Sequence, residues 1–162
     1  MDMNRNEMPE AMQRFSLPEY RDIPDVGLYL DQVVKYINRI LIDFPHLQVT
    51  GSMIANYVKQ KVIPKAVRKA YSKEQISMLV IIVMAKRVLS IEQIRTVLNR
   101  LNGAFAFPPE EYYTHFRNDL QAAISETPFP ESNDDTRLML ESLAAGIVHG
   151  MYLDCMLAEK PE

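Results

Sequence analysis

Apolar residues recur at the helical period along most of this chain of 162 residues, and proline or capping residues interrupt that period. Thr50, Ser72 and Ser90 each precede such a segment and are typical helix N-caps, whereas Pro45 and Pro64 each end one. The pattern predicts six helices, at 28–44, 51–61, 73–87, 91–102, 109–125 and 134–157, and therefore an all-α fold.

Residues 1–22 hold no sustained period, so we expect an arm that is flexible or laid across the body. The rest can bury one sizeable core, with the apolar run 78–85 at its centre. No run of eighteen apolar residues exists, and the single Cys155 suits a reducing compartment. We predict a cytoplasmic protein with no membrane contact.

Charge is distributed unevenly along the chain. The segment from Phe44 to Lys73 contains six cations and no acidic residue, so the net charge of −3 divides into +6 for this basic block and −9 for the rest. A basic block in an acidic protein is typical of a polyanion-binding surface. The alternative is a solvated lysine-rich loop. The six cations are Lys59, Lys61, Lys65, Arg68, Lys69 and Lys73.

A short capped helix, a proline turn and a basic connection follow one another over residues 49–71. This order resembles a helix-turn-helix with a wing, in which the second helix enters the major groove of DNA. Asn56 and Gln60 are four residues apart, hence on one helix face, where their amides can pair with adenine edges. The predicted DNA-binding residues are Ser52, Asn56, Tyr57, Lys59, Gln60, Lys61, Lys65, Arg68 and Lys69. The alternatives are solvated surface residues for the amides and a core anchor for Tyr57.

The segment VTGSMIANYVKQKVIP at 49–64 resembles the second-helix pattern of MerR-type regulators, and 69–76 and 89–94 resemble their wing exit and next helix. Two positions depart from that pattern, because Ser52 replaces an arginine and Lys61 replaces a glycine. With IPDVGLYLDQV at 23–33 as a second hallmark, about residues 15–125 resemble a bacterial family catalogued as domain of unknown function eighteen thirty-six. The resemblance implies a DNA-binding regulator rather than a defined reaction.

The sequence gives little support for an enzyme active site or a metal-binding site. His46, His115 and His149 are scattered, and His149 with Asp154 and Cys155 could at best approach a metal on one helix. No phosphate-binding glycine loop is present among the five glycines. We therefore predict that the protein is not an enzyme and needs no metal or cofactor.

These observations predict an N-terminal arm (1–22), a MerR-like winged helix-turn-helix region (23–104) and a C-terminal helical pair (105–162). The expected function is sequence-specific binding of double-stranded DNA as a transcriptional regulator. A homodimer is expected, with the apolar run 78–85 or the small residues at 144–150 as its interface. The alternative is a non-catalytic adaptor that uses the same shape against a partner protein. A small-molecule effector bound by the last two helices is compatible with either function.

Overall fold

The computed structural model describes residues 9–103, 108–129 and 131–158, which contain seven α-helices and no β-strand. The all-α class is therefore confirmed. The helices are α1 Glu10–Arg14, α2 Leu30–Ile40, α3 Gly51–Lys59, α4 Lys73–Ala85, α5 Ile91–Asn102, α6 Pro109–Ser125 and α7 Asp135–Leu157. Short 3₁₀ turns lie at Tyr20–Asp22 and Pro45–Leu47.

The middle of the fold is α4, in which every residue from Ile76 to Ala85 is buried. It packs against α6 and α7, which also pack against each other. One cluster of buried side chains runs from Met12 to Met151, so the core is continuous across the predicted region boundaries. The run 78–85 is used within the chain, and contrary to the prediction it offers no surface to a second copy.

Local capping signals position the helices as predicted. The Ser72 Oγ accepts a hydrogen bond from the Gln75 amide at 3.2 Å, and the Gln75 Oε1 accepts one from the Ser72 amide at 2.9 Å. Ser90 and Gln93 form the same capping box at 3.2 and 2.9 Å. The N-termini of α4 and α5 are thus determined by residues three positions apart.

Several predicted helix ends differ in the structure, and α3 and α4 each end two residues earlier than predicted, at Lys59 and Ala85. The helix expected to reach Phe44 ends at Ile40, since the chain turns at Leu41 and brings the Phe44 ring edge-on to Phe15 at 5.4 Å between centroids. A distant aromatic contact therefore overrides the local period. Gly103, expected in a left-handed C-cap, has φ −87° and ψ −136°, and an added Cβ would lie 2.7 Å from the Asn99 carbonyl oxygen.

The described part of the N-terminal arm lies across α6, with Met12 and Leu17 buried. Three α6 side chains bind its backbone: the Tyr113 hydroxyl donates to the Pro18 carbonyl at 2.7 Å, Arg117 Nε to Leu17 at 2.9 Å and Gln121 Nε2 to Phe15 at 3.0 Å. Of the two arrangements expected for this segment, residues 9–22 adopt the one laid across the body.

Gly146 and Gly150 of α7 face the residues that follow α4. A Cβ added at Gly150 would lie 2.9 Å from the Arg87 Cγ, and one at Gly146 would lie 3.9 Å from Val88. The Arg87 guanidinium forms two hydrogen bonds of 2.9 Å with the Asp154 carboxylate. Gly146 and Gly150 thus allow close packing inside the chain, whereas the prediction placed them at a dimer interface.

Candidate nucleic-acid interface

The N-terminus of α3 is held by two side chains. The Thr50 Oγ1 accepts a hydrogen bond from the Met53 amide at 3.2 Å, as the capping pattern predicts. From α2, the Asn38 amide group donates to the Val49 carbonyl and accepts from the Val49 N–H, both at 2.8 Å. Since Val49 is buried, this paired contact satisfies backbone groups that water cannot reach and fixes α3 against α2.

The C-terminus of α3 ends in a Schellman arrangement. The Val62 N–H donates to the Tyr57 carbonyl at 2.9 Å, and the Lys61 N–H donates to the Val58 carbonyl at 3.0 Å. This geometry places Lys61 in the left-handed region with φ 58°, the conformation that glycine usually supplies. Arg95 on α5 closes the end, donating to the Gln60 carbonyl at 3.1 Å from Nε and 2.6 Å from Nη2.

Both ends of α3 are therefore anchored, and the side chains on its outer face are exposed. Ser52, Asn56, Lys59 and Gln60 are exposed along it, as the helical period predicts. Tyr57 lies on the opposite side, only 5% exposed, and burial raises the pKa of its phenol. Its ring is a core anchor, so Tyr57 does not share the exposed face of the other predicted residues.

The basic loop, residues 64–71, makes a tight turn beside α3. The Ala70 N–H donates to the Val67 carbonyl at 2.9 Å, and Arg68 and Lys69 between them have φ 51° and 65°. Positive φ at both central residues is typical of the type I′ turns of two-residue hairpins. Reciprocal Leu28 and Tyr71 backbone hydrogen bonds, 3.1 and 2.7 Å, and Gln75 Nε2 donating to the Pro64 and Lys65 carbonyls anchor the loop.

The turn and α3 line one groove of about 740 Å³. Lys65, Arg68 and Lys69 lie on its loop side, and Ala55 and Val58 lie on its α3 side. Residues that the sequence separates by up to fourteen positions thus meet at one concave surface. Lys61 lines a neighbouring groove, which shares Val58 and Lys65 with the first.

The cations of this surface are not ion-paired in the described chain, although the exposed Asp31 of α2 lines the same groove as Lys65, Arg68 and Lys69. Lys59, Lys61, Lys65, Arg68 and Lys69 are exposed, and none of the five forms an ion pair with any carboxylate that the structure describes. Lys73, the sixth cation of the block, instead lies 4.8 Å above the Tyr20 ring. Five free cations around an anchored helix make a surface suited to a polyanion.

Asn38, Gln75 and Arg95 position this surface, a role that their sequence positions do not predict. Gln75 carried a capping signal, yet its second set of hydrogen bonds reaches residues ten and eleven positions away. No sequence signal indicates that Arg95 reaches the end of α3, 35 positions earlier. Such contacts depend on how α4 and α5 pack.

In residues 9–103, 108–129 and 131–158, no group of three or more His, Cys, Asp or Glu side chains could hold a metal ion. None of the described helices combines the length and the apolarity that crossing a bilayer requires.

The chain matches a known protein family. A family model described as "Domain of unknown function (DUF1836)" matches residues 18–116, which extend from the arm through the basic block into α6. No curated protein and no solved structure is significantly similar to the chain.

Proposed function

The chain belongs to the family described as Domain of unknown function (DUF1836), and we propose that it is a transcriptional regulator that binds specific sequences of double-stranded DNA. The observation that carries the proposal is the set of five exposed, unpaired cations on α3 and the basic loop. In a chain of net charge −3, this concentration of positive charge favours a polyanionic partner.

In this proposal α2 and α3 act as a helix-turn-helix and α3 enters the major groove. Asn56 and Gln60 carry the base readout, since each amide offers a donor and an acceptor that match an adenine edge. Ser52 can contact either kind of base pair. The Asn38 and Arg95 anchors hold α3 rigidly, so binding orders few side chains beyond those that touch DNA.

The basic loop acts as a short wing. Lys65, Arg68 and Lys69 neutralise phosphates on one side of α3, while Lys59 and Lys61 do so at its C-terminal end. Such contacts fix the register of the protein on the duplex but carry no sequence information. The net charge of −9 on the rest of the chain limits non-specific association.

The test is fluorescence anisotropy with labelled duplexes from the source genome, including the region upstream of the gene, at several salt concentrations. We expect specific binding that weakens steeply with salt. Lys59→Ala or Arg68→Ala reduces the log-log salt slope by about one unit for each lost phosphate contact. Lys35→Ala is the matched control, because Lys35 is an exposed cation on α2 outside the basic block.

Readout and phosphate contact are distinguished by a second variant. Asn56→Ala is expected to cost about 1–3 kcal/mol at the selected sequence and to leave binding to unrelated duplexes unchanged. Absence of binding at low salt, or equal slopes for Lys35→Ala and Lys59→Ala, would overturn the proposal.

The groove favours a second candidate function, an adaptor that binds a partner protein. Leu30, Ala55, Val58 and Tyr71 supply apolar lining beneath the cations of the basic loop. An acidic amphipathic helix would match that combination of apolar floor and cationic rim. This function predicts no salt-sensitive affinity for DNA, so the anisotropy experiment separates the two candidates.

A small-molecule effector is compatible with either function. Its test is thermal unfolding in the presence of candidate ligands, because a ligand that binds only the folded state raises the melting temperature.

A further inference from the structure

The outer face of α7 carries no exposed charge over its last twenty residues, 138–157. Three side chains in and beside this stretch are charged, and all are largely covered: Arg137 is 17% exposed, Glu141 8% and Asp154 17%. Asp154 is also paired with Arg87. The exposed face of α2, by comparison, carries Asp31, Lys35 and Arg39. Loss of charge over so long a face is typical of an interface core.

Exposed apolar side chains are concentrated on the same helix. Leu138, Leu153, Met156 and Leu157 are 43–71% exposed. Val88, 40% exposed, adjoins Gly146 and extends this surface at the end of α4. Five of the nine large hydrophobic residues exposed in the described chain thus lie on or beside α7. A concentration of this kind marks a binding surface more often than scattered exposed residues do.

The side chains on the exposed face of α7 follow nearly the same order whether the helix is followed from its N-terminus or from its C-terminus. Leu138, Ser142, Ala145, His149 and Met156 share one side of the helix, since they are spaced four, three, four and seven residues apart. Around Ala145, Leu138 and Leu153 lie at similar distances on either side, and so do Ser142 and His149. A second copy running antiparallel would place apolar against apolar, Ser142 against His149, and small residues together at the centre.

We propose that α7 is the interface of a homodimer in which two copies pack antiparallel about a twofold axis near Ala145. A second copy is the occupant because an isologous interface requires a surface complementary to itself. The uncharged face offers a charged partner no attraction. The inference stands on α7 alone and does not depend on DNA binding.

The size of the face indicates the strength of the dimer. Twenty helical residues span about 30 Å on a helix about 10 Å wide, which falls short of the roughly 800 Å² per partner of a standard interface. The small side chain of Ala145, which is only partly buried, permits close approach of the two helices, and Val88 adds contact at one side. We therefore expect a dimer with a Kd in the micromolar range.

The first test is sedimentation equilibrium of the full chain over a concentration series reaching ~50 μM, well above a micromolar Kd. The expected result is a species of twice the 18.7 kDa chain mass at the upper end. Ala145→Arg introduces two facing charges at the axis and shifts the protein to monomer. Asn118→Arg, at an exposed position of α6, adds the same charge and retains the dimer. Circular dichroism melts confirm that both variants fold.

The second test establishes direction by thiol crosslinking in a Cys155→Ala background. A short bis-maleimide should join two copies of Ala145→Cys, which lie at the axis. Two copies of Leu138→Cys should remain unjoined, because seven residues on each side of the axis separate them by about 21 Å. Monomer throughout the concentration series, a dimer unaffected by Ala145→Arg, or crosslinking of Leu138→Cys would overturn the proposal. A dimer formed through another surface would be unaffected by Ala145→Arg, and a parallel pair of helices would crosslink through Leu138→Cys.

Discussion

Left-handed backbone conformation is concentrated in the basic block. Lys61, Arg68 and Lys69 are three of the four described non-glycine residues with positive φ, the fourth being Glu126. Glycine adopts this conformation at lower cost, and asparagine is also enriched there. The chain instead has cations at all three positions. Backbone strain at a surface of this kind is typical of positions retained for binding.

Replacement of Lys61 separates stability from binding at the residue scale. Lys61→Gly relieves the left-handed strain, and we expect the free energy of unfolding to rise by about 0.5–1 kcal/mol in urea denaturation. Lys59→Gly removes the same charge from the last turn of α3, where glycine lowers stability by about 0.5–1 kcal/mol. Equal effects of the two substitutions on stability would contradict the assigned backbone conformation. Under the proposed function, both lower the affinity for DNA.

At the scale of elements, α6 and α7 enclose a polar cluster. Asp119 is only 2% exposed, with the Arg137 Nη2 4.0 Å from its Oδ1 and 3.9 Å from the Glu141 Oε1. Arg137 also contacts the His115 ring. Burial raises the pKa of Asp119 to about 6, while Arg137 opposes and Glu141 adds to the rise. The helix pair is therefore joined by a carboxyl group that resists ionisation.

A raised carboxyl pKa makes the helix pair less stable as pH rises. The folded state retains the Asp119 proton up to about pH 6, whereas the unfolded state loses it near 3.8. The stabilisation that comes from protonated Asp119 is therefore full below pH 3.8 and is lost as the pH rises through about 6. Relative to wild type, Asp119→Asn should gain stability between pH 4 and 7.5, by at most about 3 kcal/mol. Urea denaturation at both pH values measures this gain, with Asp31→Asn as an exposed control. If Asp119→Asn and wild type differed in free energy of unfolding by the same amount at both pH values, the raised pKa of Asp119 would be excluded.

At the scale of the whole molecule, all the regions share one core. The family match ends at residue 116, inside α6, yet α4 is buried largely by α6 and α7. The arm adds to the same cluster through Met12, Phe15 and Leu17. The basic surface of α3 therefore rests on a framework that includes the C-terminal pair.

Truncation tests this dependence. A chain ending at residue 103 leaves the apolar side chains of α4 without α6 and α7, so we expect it to lose cooperative folding. Removing even one large core side chain typically costs 2–5 kcal/mol, which is a substantial part of a domain's stability. Thermal melts followed by circular dichroism measure the effect, with a chain ending at Ala158 as the control. A cooperative transition in the shorter chain would establish residues 9–103 as a separate folding unit.

The helices and the basic block could be predicted because their signals are local. Capping pairs such as Ser72 and Gln75 are three residues apart, and the exposed stripe of α3 follows from the helical period alone. The early end of α2, the short helix α1 and the conformation of Gly103 were not predicted. In α2, the contact between Phe44 and Phe15 outweighs the local preference for helix.

The sequence by itself determined the helical class, most helix starts and the position of the basic block, because each depends on residues within one or two turns of each other. Tertiary structure decided which faces remain exposed. It packed Gly146 and Gly150 inside the chain, left the opposite face of α7 uncovered, buried Tyr57, and anchored α3 through Asn38 and Arg95. These outcomes follow from contacts between residues far apart in sequence, and a local pattern holds no information about which distant partner a side chain meets.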